Sequence, residues 1–251
     1  MDPVETWEHA GVLVKLFSDT DAASPRDCDG KIGEMFVSYP GYALGDTQLP
    51  REGLPDIDCP QCKGSGLMPG IQAQAADPPP CQRCEGMGTV APTMQEWLAS
   101  EKAIAAVPLF VYEHSGITMR TGKLVWLAEK EVERSDTESR GRFAGDAQGW
   151  DTSFVGFVVV RDEHIAEAMG LGWEKHRTPE WIAKAVDAEV EEYARYLEGD
   201  VYGYVVAEDT PFHDSCWGFI GFRYAQEQAN QAAKDAADQI AGEVREQAAR
   251  A

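Results

Sequence analysis

No apolar run in this chain approaches the roughly 20 residues that a membrane-spanning helix requires. The most apolar stretch, FVGFVVV at 154–160, has the length of a strand. The opening residues, MDPVETWEHAG, place no basic segment ahead of an apolar block. No secretory signal is expected from them, and a reducing, cytoplasmic compartment is the expected setting. Positive charge is also scarce: 22 lysines and arginines face 43 acids, for a formal net charge of −21. Such a surface repels phosphates and no basic patch offsets it, so direct nucleic-acid binding is not expected. The chain contains no G-x-S-x-G, no H-E-x-x-H, no P-loop and no G-x-G-x-x-G at a strand–helix junction. The simplest signatures of serine hydrolases, zinc proteases and nucleotide-binding enzymes are therefore missing.

Cysteine is sparse too, with six in 251 residues, but four of them are patterned. They lie in CPQCKGSGLM (59–68) and CQRCEGMGTV (81–90), two C-x2-C pairs separated by 18 residues. In a reducing compartment this spacing reads as a zinc site rather than a disulfide framework. Four thiolates complete the tetrahedral shell of a zinc ion and leave no open position for a reacting water. Gly64 and Gly66, with Gly86 and Gly88, let each chain turn back so that backbone N–H groups point at the sulfurs. One structural zinc on Cys59, Cys62, Cys81 and Cys84 is expected, contributing folding energy on the order of 10 kcal/mol. An iron–sulfur cluster or a redox-active C-x-x-C are the alternatives. The intervening segment is polar and stiffened by prolines, and any binding role of the module is expected there, around Met68, Ile71 and Pro78 to Pro80. Cys28 lies outside both pairs and reads as a free surface thiol.

With 43% apolar residues the chain can bury a sizeable core. GVLVKLFS (11–18) and EMFVSYPG (34–41) read as strands. Thr93 and Glu96 form a capping-box pattern ahead of MQEWLASEKAIAAV, a helix expected to run to Pro108. PLFVYEHSG follows as a strand, LVWLAEKEVE as a strand or short helix, and residues 133–149 as a mobile loop. FVGFVVV is the expected central strand, and Asp162 the cap of a short helix EHIAEAMG. Thr178 and Pro179 start a long helix whose stripe Ile182, Val186, Glu189 or Val190, Tyr193 and Leu197 packs on the sheet. VYGYVVAED and CWGFIGF read as a hairpin. The alanine- and glutamine-rich segment from 223 onwards reads as a helical, frayed or partner-dependent tail. The expected class is α+β: a mostly antiparallel sheet covered by about two helices, with a small inserted four-cysteine zinc module and a polar helical tail. The expected segments are 1–58 (N-terminal strands), 59–90 (zinc module), 91–222 (main domain) and 223–251 (tail).

Each cysteine pair matches CxxCxGxG, and residues 59–90 resemble half of the cysteine-rich zinc domain of DnaJ-type (Hsp40) chaperones. That family carries four such repeats and two zincs, whereas this chain has two repeats. No His-Pro-Asp tripeptide of a J-domain is present. Five other stretches, SPRDCDGKIGEMF, VPLFVYEHSGITM, WDTSFVGFVVV, EVEEYARYLEGDVYGYVV and DSCWGFIG, resemble in order a family of phage and prophage proteins of unknown function. The cysteine module and the link between the YEHSG and WD segments look like insertions relative to it. The resemblance implies a mobile-element origin and carries over no catalytic residue.

Two kinds of site remain to be weighed. His114, Ser115, Asp151, Asp214 and Cys216 are reactive types at expected strand ends, where a Cys–His–Asp or Ser–His–Asp set is conceivable. Against that, Cys216 reads as a small buried hydrophobe, His114 as a turn residue, Asp200 as turn chemistry and Asp151 as a strand-entry cap. Glu189, Glu191, Glu192, Glu198 and Asp200 form a candidate acidic interaction face that would steer a partner electrostatically. The expected function is thus that of a zinc-containing phage-type accessory protein acting on a host or phage protein. An acidic, nucleic-acid-mimicking inhibitor is one version of it. An enzyme around His114, Asp151 and Cys216, or a DnaJ-like client-binding module, are the rivals.

Overall fold

A computed structural model of the chain describes residues 2–68, 78–114, 116–127, 130–131, 143, 146 and 149–250. Thirteen strands and four α-helices are found among them. In chain order they are β1 (Glu5–His9), β2 (Val12–Ser18), β3 (Gly33–Val37), β4 (Thr47–Gln48), β5 (Ile57–Asp58), β6 (Thr89–Val90), α1 (Met94–Ser100), β7 (Ala105–Glu113), β8 (Ile117–Thr121), β9 (Trp126–Leu127), β10 (Lys130–Glu131), β11 (Thr152–Val160), α2 (Asp162–Met169), α3 (Pro179–Leu197), β12 (Val201–Val206), β13 (Asp214–Ile220) and α4 (Phe222–Arg250). The class is α+β with mostly antiparallel pairing, as expected. The strands fall into two large sheets instead of one, and the chain divides into two compact units. The first comprises Met1–Cys28, Glu113–Met119 and Val190–Ala251; the second, Asp29–Tyr112 and Arg120–Glu189. The division falls at Asp29, inside the segment expected as N-terminal strands, and again within α3. No helix among the described residues is long and apolar enough to cross a membrane.

In the first unit the sheet order is β1-β2-β12-β13, all antiparallel. Alternation along β2 turns Val12, Val14 and Leu16 to one face, where they meet Tyr204 and Val206 of β12. That face is covered by α4, which contributes Ala225, Ala229, Ala233 and Ala236, all buried. The segment from 223 onwards is therefore not a frayed extension. Its alanine stripe is the helical half of this core, because the absence of bulk lets the helix axis lie close on the large side chains of the sheet. Trp7 Nε1 donates to Asn230 on α4 at 2.8 Å, fixing the β1 side of the helix.

In the second unit the sheet order is β10-β9-β7-β11-β3-β4, with β8 paired to β7. The expected central strand is central: β11 pairs with β7 on one side and β3 on the other. Phe157 and Val159 face a cluster with Phe36, Trp97, Leu98 and Ala106, so α1 covers that face. Thr93 and Glu96 make the full capping box, but α1 ends at Ser100, well before Pro108. Lys102 adopts φ 53°, which no helix continues. The residues after it have joined the sheet as β7, and Pro108 pairs opposite Phe157 within the strand. The Asp162 cap is also corrected. It is Arg161 that stands at the N-cap of α2, without a side-chain cap bond, while Asp162 pairs with Arg177. Thr178 does cap α3, accepting from the Trp181 amide at 3.2 Å. Ile182, Val186, Val190 and Tyr193 are buried as the stripe requires, while Leu197 is half-buried. LVWLAEKEVE supplies β9 and β10. The loop expected at 133–149 lies largely outside the described residues; within it, Phe143 and Asp146 are buried.

Candidate metal centre

The two cysteine segments close on one another as near copies. The antiparallel pair β5 and β6 forms the base, with Ile57 opposite Val90 and Asp58 opposite Thr89. The Cys59 amide donates to the Gly88 carbonyl and the Cys81 amide to the Gly66 carbonyl, each at 2.7 Å. Each half then makes the same knuckle. Lys63 and Glu85 take left-handed conformations (φ 53° and 51°), and the chain folds back over the sulfur ahead of it. The Gly66 amide donates to Cys62 Sγ and the Gly88 amide to Cys84 Sγ, both at 3.3 Å. These are the backbone donors that the glycines were expected to supply. Glycine is required for a second reason. A Cβ on Gly66 would come within 2.4 Å of the Gly86 carbonyl oxygen, and one on Gly88 within 2.6 Å of that of Gly64. The two knuckles pack backbone to backbone.

All four sulfurs are buried and lie within 4.8 Å of one another. Cys59 and Cys81 Sγ are 3.9 Å apart, Cys62 and Cys84 Sγ 3.7 Å. Four thiolates at about 2.3 Å from a tetrahedral ion stand about 3.8 Å apart, so the donor set fits a single ion. Iron–sulfur clusters spread their thiolates over several metals and need wider spacing. Burial disfavours the thiolate at both Cys62 and Cys84. At Cys62 the Gly66 amide and the neighbouring thiols outweigh burial and bring the thiol down to about 7; at Cys84 burial prevails and the thiol stays above its ordinary value. Outside the shell, Arg83 pairs with Glu96, the capping-box acid of α1, which ties the second knuckle to that helix. The excursion between the pairs lies largely outside the described residues: Ile71 is not described, while the Met68 amide donates to the Pro79 carbonyl at 3.1 Å.

The other expected site residues are not gathered in this way. His114 is a turn residue, its amide donating to the Gly116 carbonyl at 3.2 Å. Ser115 lies outside the described residues. Cys216 is exposed on β13, so its reading as a buried hydrophobe is corrected. It stands opposite Tyr204 on the edge strand of the sheet. Cys28 is exposed, as expected. His114 and Cys216 belong to the first unit and Asp151 to the second. The cap at the entry of β11 is Asp146, which the sequence reading missed. Its carboxylate accepts from the Trp150 and Asp151 amides at 2.9 and 3.0 Å and from the Thr152 hydroxyl at 2.7 Å. The signal was an Asp between glycines just ahead of a strand.

Two of the five acids of the expected interaction face do internal work. Glu189 accepts from the Ile32 amide at 2.6 Å, and Asp200 accepts from the Phe222 amide at the start of α4. Glu191, in a surface pair with Arg195, and Glu192 and Glu198 are exposed. Comparison with known proteins returns no match, whether to a protein-family profile, a curated protein or a solved structure.

Proposed function

We propose that this protein is a zinc-stapled accessory protein of phage type that acts in the cytoplasm by binding another protein, of host or phage. The observation that carries the reading is the closed four-cysteine group. Its donor chemistry and spacing suit zinc, and Cys59, Cys62, Cys81 and Cys84 would hold the ion with no position left for substrate. The ion's role is then to fold the knuckles, and what the folded knuckles offer is surface. Met87, between Gly86 and Gly88, is 75% exposed, and Leu67 is 37% exposed. Methionine is enriched at the buried centres of protein interfaces, and Met87 is held outward on a rigid loop. The engagement of Glu189 and Asp200 with backbone amides favours this over a continuous acidic stripe mimicking nucleic acid.

The test joins metal content to capture. Elemental analysis of protein purified without added metal should give one zinc per chain. A photo-crosslinker at position 67 should label one host or phage protein, and both Cys62→Ser and Met87→Asp should abolish the labelling. A substoichiometric metal content, or labelling that survives both substitutions, would sink the reading. Labelling of unfolded chains in general would mark a chaperone-like module instead.

A further inference from the structure

The sheet of the first unit has two edges, and they are defended differently. On β1 the sequence ETWEH places Glu5, Glu8 and His9 along the edge, and charge of this kind is how proteins keep foreign strands away. On β13 the sequence DSCWGFI carries one charge, at its first residue, and Asp214 to Gly218 are all exposed. The bulge that places Trp217 and Gly218 against Gly203 tightens the far end, where the Gly218 amide is already bound by Asp19 Oδ2 at 3.0 Å. The open ladder is therefore the stretch from Asp214 to Trp217. Beside it lies an apolar platform. The Trp217 indole lies over Gly203, so closely that a Cβ there would meet the ring at 2.1 Å. It packs 5.8 Å from the Phe17 ring and is still 46% exposed, and Leu13 on β2 is 49% exposed.

Apart from His213, which stands near Glu208 in the turn before β13, the charge around this edge is negative. Asp214 lies on it, Asp19 holds its bulge, and Asp235 of α4 faces the same Tyr204 that Asp214 does. Glu208 and Asp209 occupy the turn leading into β13, and the base nearest them, Lys15, is already paired with Glu208. A second copy of the chain would bring these same acids against themselves, so the surface does not suit self-pairing.

We propose that the β13 edge is a strand-addition site for an extended, basic segment of a partner protein. The segment pairs its backbone with Asp214–Trp217, sets alternate apolar side chains against the Trp217 indole, and directs its lysines or arginines to Asp19, Asp214 and Asp235. The site lies in the first unit and is independent of the metal reading.

The probe is a fluorescent peptide of alternating lysine and valine, titrated against the full chain by anisotropy. Two further peptides accompany it: one with glutamate for lysine, and one with alternate backbone amides N-methylated. The lysine peptide should bind saturably, and each of the others should bind at least about tenfold more weakly. Ser215→Lys, which places a cation on the open edge without disturbing the core, should weaken the lysine peptide by about tenfold, with the far-ultraviolet spectrum unchanged. The proposal is overturned if the lysine peptide does not bind, if N-methylation leaves its affinity intact, or if Ser215→Lys has no effect. It is equally overturned if sedimentation shows a dimer that Ser215→Lys dissolves.

Discussion

Gly66 faces the carbonyl of Gly86 so closely that a Cβ would stand 2.4 Å from its oxygen, whereas the nearest neighbour of a Cβ on Gly64 is the Asp58 side chain at 3.1 Å. Both glycines are left-handed, with φ of 73° and 80°. Alanine at either position therefore carries a conformational cost of about 1 kcal/mol. Only at Gly66 does it also force the two knuckles apart, because backbone cannot swing aside as a carboxylate can. Gly66→Ala should bind zinc at least about tenfold more weakly than Gly64→Ala, measured by competition with a chromogenic chelator. Equal affinities would mean that the knuckles do not pack as described.

The alanine stripe of α4 gives a second test. Ala229 is fully buried against the first sheet, and Ala241, three turns on, is exposed. Ala229→Leu inserts bulk where the helix lies closest to the strands and should destabilise by about 1–3 kcal/mol. Ala241→Leu should be neutral within about 0.5 kcal/mol. If the helix were a detached tail, chemical denaturation would not distinguish the two.

That stripe also shows where the sequence misleads. Residues 225, 229, 233 and 236 have helical spacing, but alanine carries so little apolar area that the pattern reads as a polar tail. The partner surface is supplied by β2 and β12, nearly two hundred residues apart, and long-range pairing of that kind leaves no local trace. The same holds for the two sheets: the long strands β2, β3, β7, β11, β12 and β13 were legible, but β1, the short strands and the partition into two sheets were not. Local chemistry fared best. The cysteine spacing, the capping box at Thr93 and the Thr178–Pro179 helix start are complete within a few residues, and each is found in place. What the sequence could not show in the candidate acidic face is the partner of Glu189, an amide at position 32.

Arg161 links three parts of the second unit. Its guanidinium pairs with Glu34 of β3 and with Glu101 at the end of α1, and its Nε donates to the Glu101 carbonyl at 2.6 Å. The Thr47 hydroxyl completes Glu34 at 2.7 Å. The arginine is buried while both carboxylates keep about a quarter of their side-chain exposure, so the cost of orphaning them is below that of a fully buried pair. Arg161→Met should lower stability by about 2–3 kcal/mol, and Arg161→Lys should recover only part of it, because an ammonium cannot span both acids and the carbonyl. The denaturation midpoint should fall at constant slope.

Tyr204 predicts how the first unit responds to alkali. Burial in the core under α4 raises its phenol, the nearby Asp214 carboxylate adds to the effect, and together they push it up to about 12. The hydroxyl lies 3.3 Å from Asp214 Oδ2. In the unfolded chain a tyrosine ionises near 10. Between those values the unfolded state sheds a proton that the folded state keeps, so alkali favours unfolding. The stability contributed by the neutral phenol is complete below pH 10 and is lost as the pH rises through about 12. Tyr204→Phe should be less stable than the natural protein by about 1 kcal/mol at neutral pH, through the lost hydrogen bond. Its stability should then fall less steeply across the alkaline window, so that the two curves converge and cross. Parallel curves from neutral pH to pH 12, in denaturant titrations at fixed pH, would place the Tyr204 hydroxyl in water and remove α4 from above it.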